Sequence, residues 1–122
     1  MIKTTFSNGF TDQYKGKRDV TAGWALIEKA TGEIAACGHS RDRAAAEKTA
    51  SATISAMAPH RIWTFPSTVL QAKQYRRELT ARGVDPAKTP AGLRDQVKRW
   101  NWKCNSDFLA SHSVEIVDAE RV

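Results

Sequence analysis

One pentapeptide, Arg99-Trp-Asn-Trp-Lys103, interleaves cations with indoles. Lysine and arginine neutralise phosphates, and an exposed indole can stack on an unpaired base, so this composition indicates nucleic-acid binding. Trp100 follows Leu93 and Val97 at helical spacing, which favours a core position for its ring, whereas Trp102 stays open between core and surface. The residues that we expect to contact nucleic acid are Lys73, Arg76, Arg77, Arg94, Lys98, Arg99, Trp102 and Lys103.

The positive charge of the chain is unevenly distributed. The 122 residues carry a net charge of +6. Residues 1–60 hold eight basic and six acidic side chains, residues 61–103 hold ten and three, and the remainder holds one and four. A basic block before an acidic tail is typical of a polyanion-binding surface, but it also fits a solvated helical face that keeps the protein soluble. Both interpretations stay open.

Glu47 is a second candidate for chemistry. On a helical wheel it shares a face with Ala44, Ala50, Ile54 and Met57, and a carboxylate within an apolar stripe calls for a metal ion or a buried partner. The alternative is that Glu47 lies at the edge of the stripe and reaches water.

Cysteine and histidine provide no recognisable ligand cluster. Cys37 and Cys104 are not spaced as a metal knuckle or a redox pair and are expected to be free thiols, and His39, His60 and His112 are scattered. No apolar run approaches the roughly 18–20 residues of a membrane span, and the first residues lack the apolar core of a signal peptide. We therefore expect a cytoplasmic protein without membrane contact.

The pattern of apolar residues, turn residues and caps predicts a mixed α/β protein with the element order β-β-β-α-β-α-α-β. Ser40 is the expected N-cap of the first helix, and Gly83 and Thr89-Pro90 mark the end of the second helix and the start of the third. Residues 101–112 give no clear pattern. The predicted strands are Ile2–Phe10, Val20–Glu28, Glu33–Gly38, Arg61–Thr64 and Ser113–Val117, and the predicted helices begin near Arg41, Pro66 and Pro90.

This element order resembles that of the ribonuclease H-like family. Phe10-Thr-Asp12, Gly16 and Gly23-Trp-Ala-Leu-Ile27 are similar to its first hairpin, and Gly38-His-Ser40 is similar to the end of its third strand. The resemblance implies a single ribonuclease H-like domain over residues 1–122, built on a five-stranded mixed sheet. A double-stranded-RNA-binding module, in which a hairpin precedes an alanine-rich helix, is a rival for residues 20–58.

The same resemblance implies metal chemistry. Family members cluster carboxylates around Mg²⁺ for phosphodiester hydrolysis, which carries over to Asp12 and Glu47 as catalytic and metal-binding residues. A competing register places Asn8 at the first position. This chain also departs from the family, because Phe65-Pro66 follows Thr64 where an aspartate is expected, and the sequence stops at Val122, before a last acidic helix.

These departures favour a nucleic-acid-binding domain that is catalytically inactive and needs no cofactor. RNA, DNA or their hybrid is the expected partner. One alternative is a Mg²⁺-dependent ribonuclease H-type nuclease. Another is a small accessory protein of the kind carried by phages and plasmids, which binds a protein partner.

Overall fold

A computed structural model describes residues 1–63 and 68–122, with the backbone alone for 68–70. The chain divides into two compact units, Met1–Met57 with Phe108–Val122 (the strand unit) and Ala58–Asp107 (the helical unit). This division does not test the single-domain prediction, which stays a prediction. The elements in chain order are β1 Ile2–Thr5, β2 Thr11–Tyr14, β3 Ala22–Glu28, β4 Ile34–Ser40, α1 Arg43–Met57, α2 Thr68–Ala81, α3 Pro90–Ser111, β5 His112–Asp118 and β6 Glu120–Arg121.

The first predicted strand, Ile2–Phe10, is wrong beyond Thr5, because the chain reverses there into a hairpin. Gly9 adopts a positive φ of 87°, and the Phe6 N–H donates to the Phe10 carbonyl at 2.9 Å. Asn8 braces the turn, since its Oδ1 accepts from the Phe10 N–H and its Nδ2 donates to Gly32. An Asn-Gly pair of this kind is a strong hairpin signal.

The mixed α/β class is confirmed, but the described strands do not form one five-stranded mixed sheet. They form two three-stranded sheets, ordered β2-β1-β6 and β4-β3-β5, and every pairing is antiparallel. β1 already has a neighbour on each side, so it has no free edge at which a further strand, such as the predicted Arg61–Thr64, could pair with it. β6 was not predicted.

Both faces of β3 are covered. Ala25 and Ile27 pack with Phe6, from the β1–β2 hairpin, on one face. Trp24 and Leu26 are buried on the other face, where α1 contacts β3, β4 and β5. A strand that is buried on both faces has a nearly continuous apolar sequence, as β3 does.

α1 begins two residues later than expected, because Asp42 and not Ser40 is its N-cap. The Asp42 carboxylate accepts from the Ala45 N–H at 2.8 Å, while Ser40 is the last residue of β4 and is buried. The buried side chains of α1 are Ala46, Ala50 and Ile54, at intervals of four residues. Small side chains on this stripe allow the helix to approach the sheet closely.

The helical unit has its own core, formed by Ile62, Tyr75, Leu79, Leu93 and Val97. Two predicted boundaries are confirmed: Gly83 ends α2 with a φ of 77°, and Thr89 caps α3 through its hydroxyl and the Gly92 N–H. The predicted start of α2 at Pro66 lies outside the described residues. α3 continues through residues 101–111, where the sequence was unclear. In the described residues no helix combines the length and apolar character that crossing a bilayer requires.

The predicted strand Arg61–Thr64 is wrong for residues 61–63, and Thr64 lies outside the described residues. Ile62 is fully buried, and its backbone N–H and carbonyl both form hydrogen bonds with one side chain. Its N–H donates to Asn101 Oδ1 at 2.7 Å, and its carbonyl accepts from Asn101 Nδ2 at 2.9 Å. The carboxamide of α3 thus replaces one rung of a β-ladder, which explains why a β-prone segment needs no sheet.

Candidate functional site

The excess positive charge belongs entirely to the helical unit. Ala58–Asp107 carries ten basic and four acidic side chains, whereas the strand unit carries nine of each and is neutral. Two acidic residues of the C-terminal segment, Glu115 and Asp118, are partnered within the strand unit. Glu115 accepts from the Ser7 backbone N–H and hydroxyl, and Asp118 pairs with Arg43 at 3.2 Å.

All eight residues that the sequence predicts to contact nucleic acid are exposed on α2 or α3. Because side chains four apart share a helix face, Arg94, Lys98 and Trp102 form one row along α3. Arg99 and Lys103 belong to the adjacent row. We call the exposed set the basic surface, and its members are Lys73, Arg76, Arg77, Arg94, Lys98, Arg99, Trp102 and Lys103.

Part of the basic surface surrounds a groove between α2 and α3. The groove has a volume of about 450 Å³, and its floor includes Ala72, Tyr75 and Leu93. Lys73, Arg76 and Arg94 lie on its rim. Arg77 is exposed on α2 and is not among the described lining residues.

The two tryptophans of α3 have different environments. Trp100 packs against the core of the helical unit, and its Nε1 donates to the His60 carbonyl at 2.8 Å. Trp102 is 73% exposed and, with Lys98, Arg99 and Lys103, lines a shallow depression. Among the described residues, no hydrogen bond or ring contact involves its indole. The core prediction for Trp100 is confirmed in part, and the open question for Trp102 is resolved in favour of the surface.

Two arginines of the helical unit form ion pairs with acidic side chains four residues earlier in the chain. Arg99 pairs with Asp95, which holds its guanidinium at the surface. Arg82 pairs with Glu78 and also donates to the His60 carbonyl at 2.9 Å, with only 18% of its side chain exposed. Arg82 is therefore a structural cation.

Asp12 and Glu47, the predicted catalytic and metal-binding pair, are not brought together. Asp12 lies on β2 and contacts side chains on the face of β4 that looks toward β1. Glu47 is exposed on α1, which covers the opposite face of that sheet, and it lies beside the buried stripe and not within it. Across residues 1–63 and 68–122, no group of three or more His, Cys, Asp or Glu side chains could hold a metal ion. The two-carboxylate Mg²⁺ site thus gains no geometric support.

Asp12 belongs instead to a polar cluster that the sequence did not predict. His39 Nδ1 lies 3.6 Å from Asp12 Oδ2, and His39 Nε2 lies 3.2 Å from the Thr4 hydroxyl. The Tyr14 ring stands 5.5 Å from the imidazole, and Cys37 Sγ donates to Asp12 at 3.7 Å. Alternation along single strands was the available signal, since it places Cys37 with His39 and Asp12 with Tyr14. That alternation does not predict which strands pair with one another.

The order carboxylate–imidazole–hydroxyl is that of an activated nucleophile, but this cluster lacks access. Thr4 is 1% exposed, so no substrate can reach its hydroxyl. Burial raises the pKa of the Cys37 thiol, and the charge and hydrogen bond of Asp12 raise it further, so the thiol stays protonated at neutral pH. The cluster therefore joins the two sheets and provides no nucleophile.

No protein-family model, curated protein or solved structure matches the chain. The resemblance to the ribonuclease H-like family is left untested and stays a hypothesis. What the molecule offers for a function is therefore the charge and exposure of its own side chains.

Proposed function

We propose that this protein binds nucleic acid through the basic surface of the helical unit. The observation that carries the proposal is the segregation of charge: the helical unit has a net charge of +6, and the strand unit is neutral. A concentrated positive field attracts polyanions, and release of their counterions drives binding.

The state of the individual cations supports binding over a merely solvated face. Lys73, Arg77, Arg94 and Lys98 have no acidic partner among the described residues, so their charges are available to phosphates. Arg99 is held by Asp95 in a fixed position. Side chains held at the surface lose less conformational freedom when they contact a ligand.

The proposal includes no catalysis. Asp12 and Glu47 lie on opposite sides of the β4-β3-β5 sheet, and the described sheets do not contain the parallel strand pair of a ribonuclease H-like fold. Family membership and Mg²⁺-dependent cleavage remain separate hypotheses. Incubating the protein with an RNA–DNA hybrid and Mg²⁺ or Mn²⁺ tests cleavage, and we expect the hybrid to stay intact.

Fluorescence anisotropy with labelled oligonucleotides across a salt series tests the binding. The logarithm of the affinity should fall linearly with the logarithm of the salt concentration, by about 0.7–0.9 for each phosphate contact. The absence of binding at the lowest salt concentration would contradict the proposal. Capture of a protein partner that persists after nuclease treatment would instead favour a protein-binding role.

A further inference from the structure

We infer that Trp102 is a stacking platform for an unpaired base, so that single-stranded nucleic acid is the preferred ligand of the basic surface. This inference rests on the proposed function. It concerns the kind of nucleic acid that the basic surface selects, which phosphate contacts alone do not determine.

The first argument is exposure. A tryptophan is usually mostly buried, because its indole has a large apolar area, yet Trp102 is 73% exposed. Trp100, two residues earlier, shows how the same side chain is satisfied in this unit. Its Nε1 donates to His60, and the Arg82 guanidinium lies 6.0 Å from its ring centroid. Among the residues that the structure describes, the Trp102 indole has neither a hydrogen bond nor a cation over its ring.

The second argument is the charge around the indole. Lys98 lies one turn before Trp102, and Arg99 and Lys103 line the same depression. Of these three cations, Arg99 already has an acidic partner, which is Asp95. An acceptable occupant is therefore an anion with a flat apolar face, and a nucleotide with its base out of the stack combines the two.

The third argument concerns the geometry of duplexes. In a continuous duplex the faces of the bases are stacked on one another and cannot reach an indole on a helix surface. A single strand presents its bases to aromatic side chains while its phosphates meet neighbouring cations. The row formed by Arg94, Lys98 and Trp102 offers cations followed by an aromatic ring along one line.

The experiment compares three ligands of equal length on the full chain: a single-stranded oligonucleotide, its duplex, and an abasic strand that keeps the phosphates. Trp102→Ala should weaken single-strand binding by about tenfold or more and change duplex and abasic binding by less than about twofold. Trp102→Phe should retain most of the single-strand affinity, because phenylalanine also stacks. Lys98→Ala should weaken binding to all three ligands, and Lys48→Ala, on the neutral strand unit, to none.

Tryptophan emission gives a second readout. The single strand should quench the emission of the native protein, and Trp102→Phe should lose most of that quenching, whereas the abasic strand should quench little. Equal effects of Trp102→Ala on all three ligands, or no effect on any, would overturn the stacking inference and leave the proposed function standing. Failure of the native protein to bind any of the three at low salt would overturn both.

Discussion

Gly23 on β3 lies directly against Thr4 on β1, so closely that a Cβ at Gly23 would stand 2.6 Å from Thr4 Cγ2. Thr4 is buried and its hydroxyl contacts His39, so it cannot move aside. Gly23→Ala should therefore destabilise the protein by about 1–3 kcal/mol, the usual range for overpacking. Chemical denaturation followed by circular dichroism measures the loss.

Thr4→Ser provides the matched test of this contact, because serine removes Cγ2 and keeps the hydroxyl. Combined with Gly23→Ala it should recover part of the lost stability, since the Thr4 Cβ would still lie 3.0 Å from the new methyl group. Additive effects of the two substitutions would show that the cost arises elsewhere.

The reactivity of Cys37 should depend on Asp12. Two of the three causes that raise the pKa of this thiol come from the Asp12 carboxylate, and the largest, burial, does not. Asp12→Asn should lower the pKa of Cys37 without returning it to the ordinary value, so the thiolate fraction at a given mildly alkaline pH increases. Alkylation at Cys37, followed by mass spectrometry, should become faster.

Cys104 is the internal control for this experiment. Burial is also the largest cause that raises the pKa of its thiol, but the nearby carboxylate there is Asp107. Its alkylation rate should therefore be unchanged by Asp12→Asn. If Cys37 reacts no faster in the variant, the carboxylate does not hold the thiol in its protonated form.

Asn101→Leu should destabilise the helical unit by about 1–3 kcal/mol for each backbone group of Ile62 that it leaves buried and unpaired. Hydrogen exchange at the Ile62 amide should accelerate as well. Substitution of the exposed Lys98 on the same helix should change neither quantity.

Asn101→Asp makes the prediction sensitive to pH. An ionised carboxylate accepts from the Ile62 N–H but faces the Ile62 carbonyl with a second acceptor, whereas the protonated form restores the donor. The pKa of the new side chain is thus raised in the folded state, and the stability that it contributes is fully present below about 3.9 and lost as the pH rises. The stability deficit relative to the native protein, measured at each pH, should be smaller in acid; an equal deficit at all pH values would contradict the role of the Asn101 donor.

Lys98 and Lys48 are a matched pair of exposed lysines on helices of the two units. Lys98→Ala should weaken oligonucleotide binding at every salt concentration and reduce the slope of the salt dependence by about one. Lys48→Ala should leave both unchanged, because the strand unit has no excess charge. Equal effects of the two substitutions would mean that net charge, and not the basic surface, determines the affinity.

The sequence predicted the elements whose signals are local. Thr89 caps α3 and Gly83 ends α2, and each of these signals lies within a few residues of the boundary that it sets. The Asn8-Gly9 turn was equally local, but the aromatic residues Phe6 and Phe10 on either side made the segment look like one strand.

The missed features depend on contacts between distant residues. Asn101 satisfies Ile62 across 39 positions, so the β-prone segment around Ile62 was assigned to a sheet. β5 joins β3 antiparallel, with Gly23 opposite Val117. Of the candidate site, the helical spacing of Leu93, Val97 and Trp100 predicted that the Trp100 ring packs against the core. The cluster around His39 requires side chains from three strands, which a helical or strand period cannot relate.

The pairing of β3 with β5 also constrains the order in which the molecule can assemble. β3 ends at Glu28, and its partner β5 starts at His112. The hydrogen bonds between these two strands therefore cannot form until residues 112–118 have left the ribosome. The core of the helical unit draws on residues between Ile62 and Val97 and is complete earlier. During synthesis the helices of the helical unit can therefore fold first, while the edge of β3 that pairs with β5 remains open to chaperones or to aggregation.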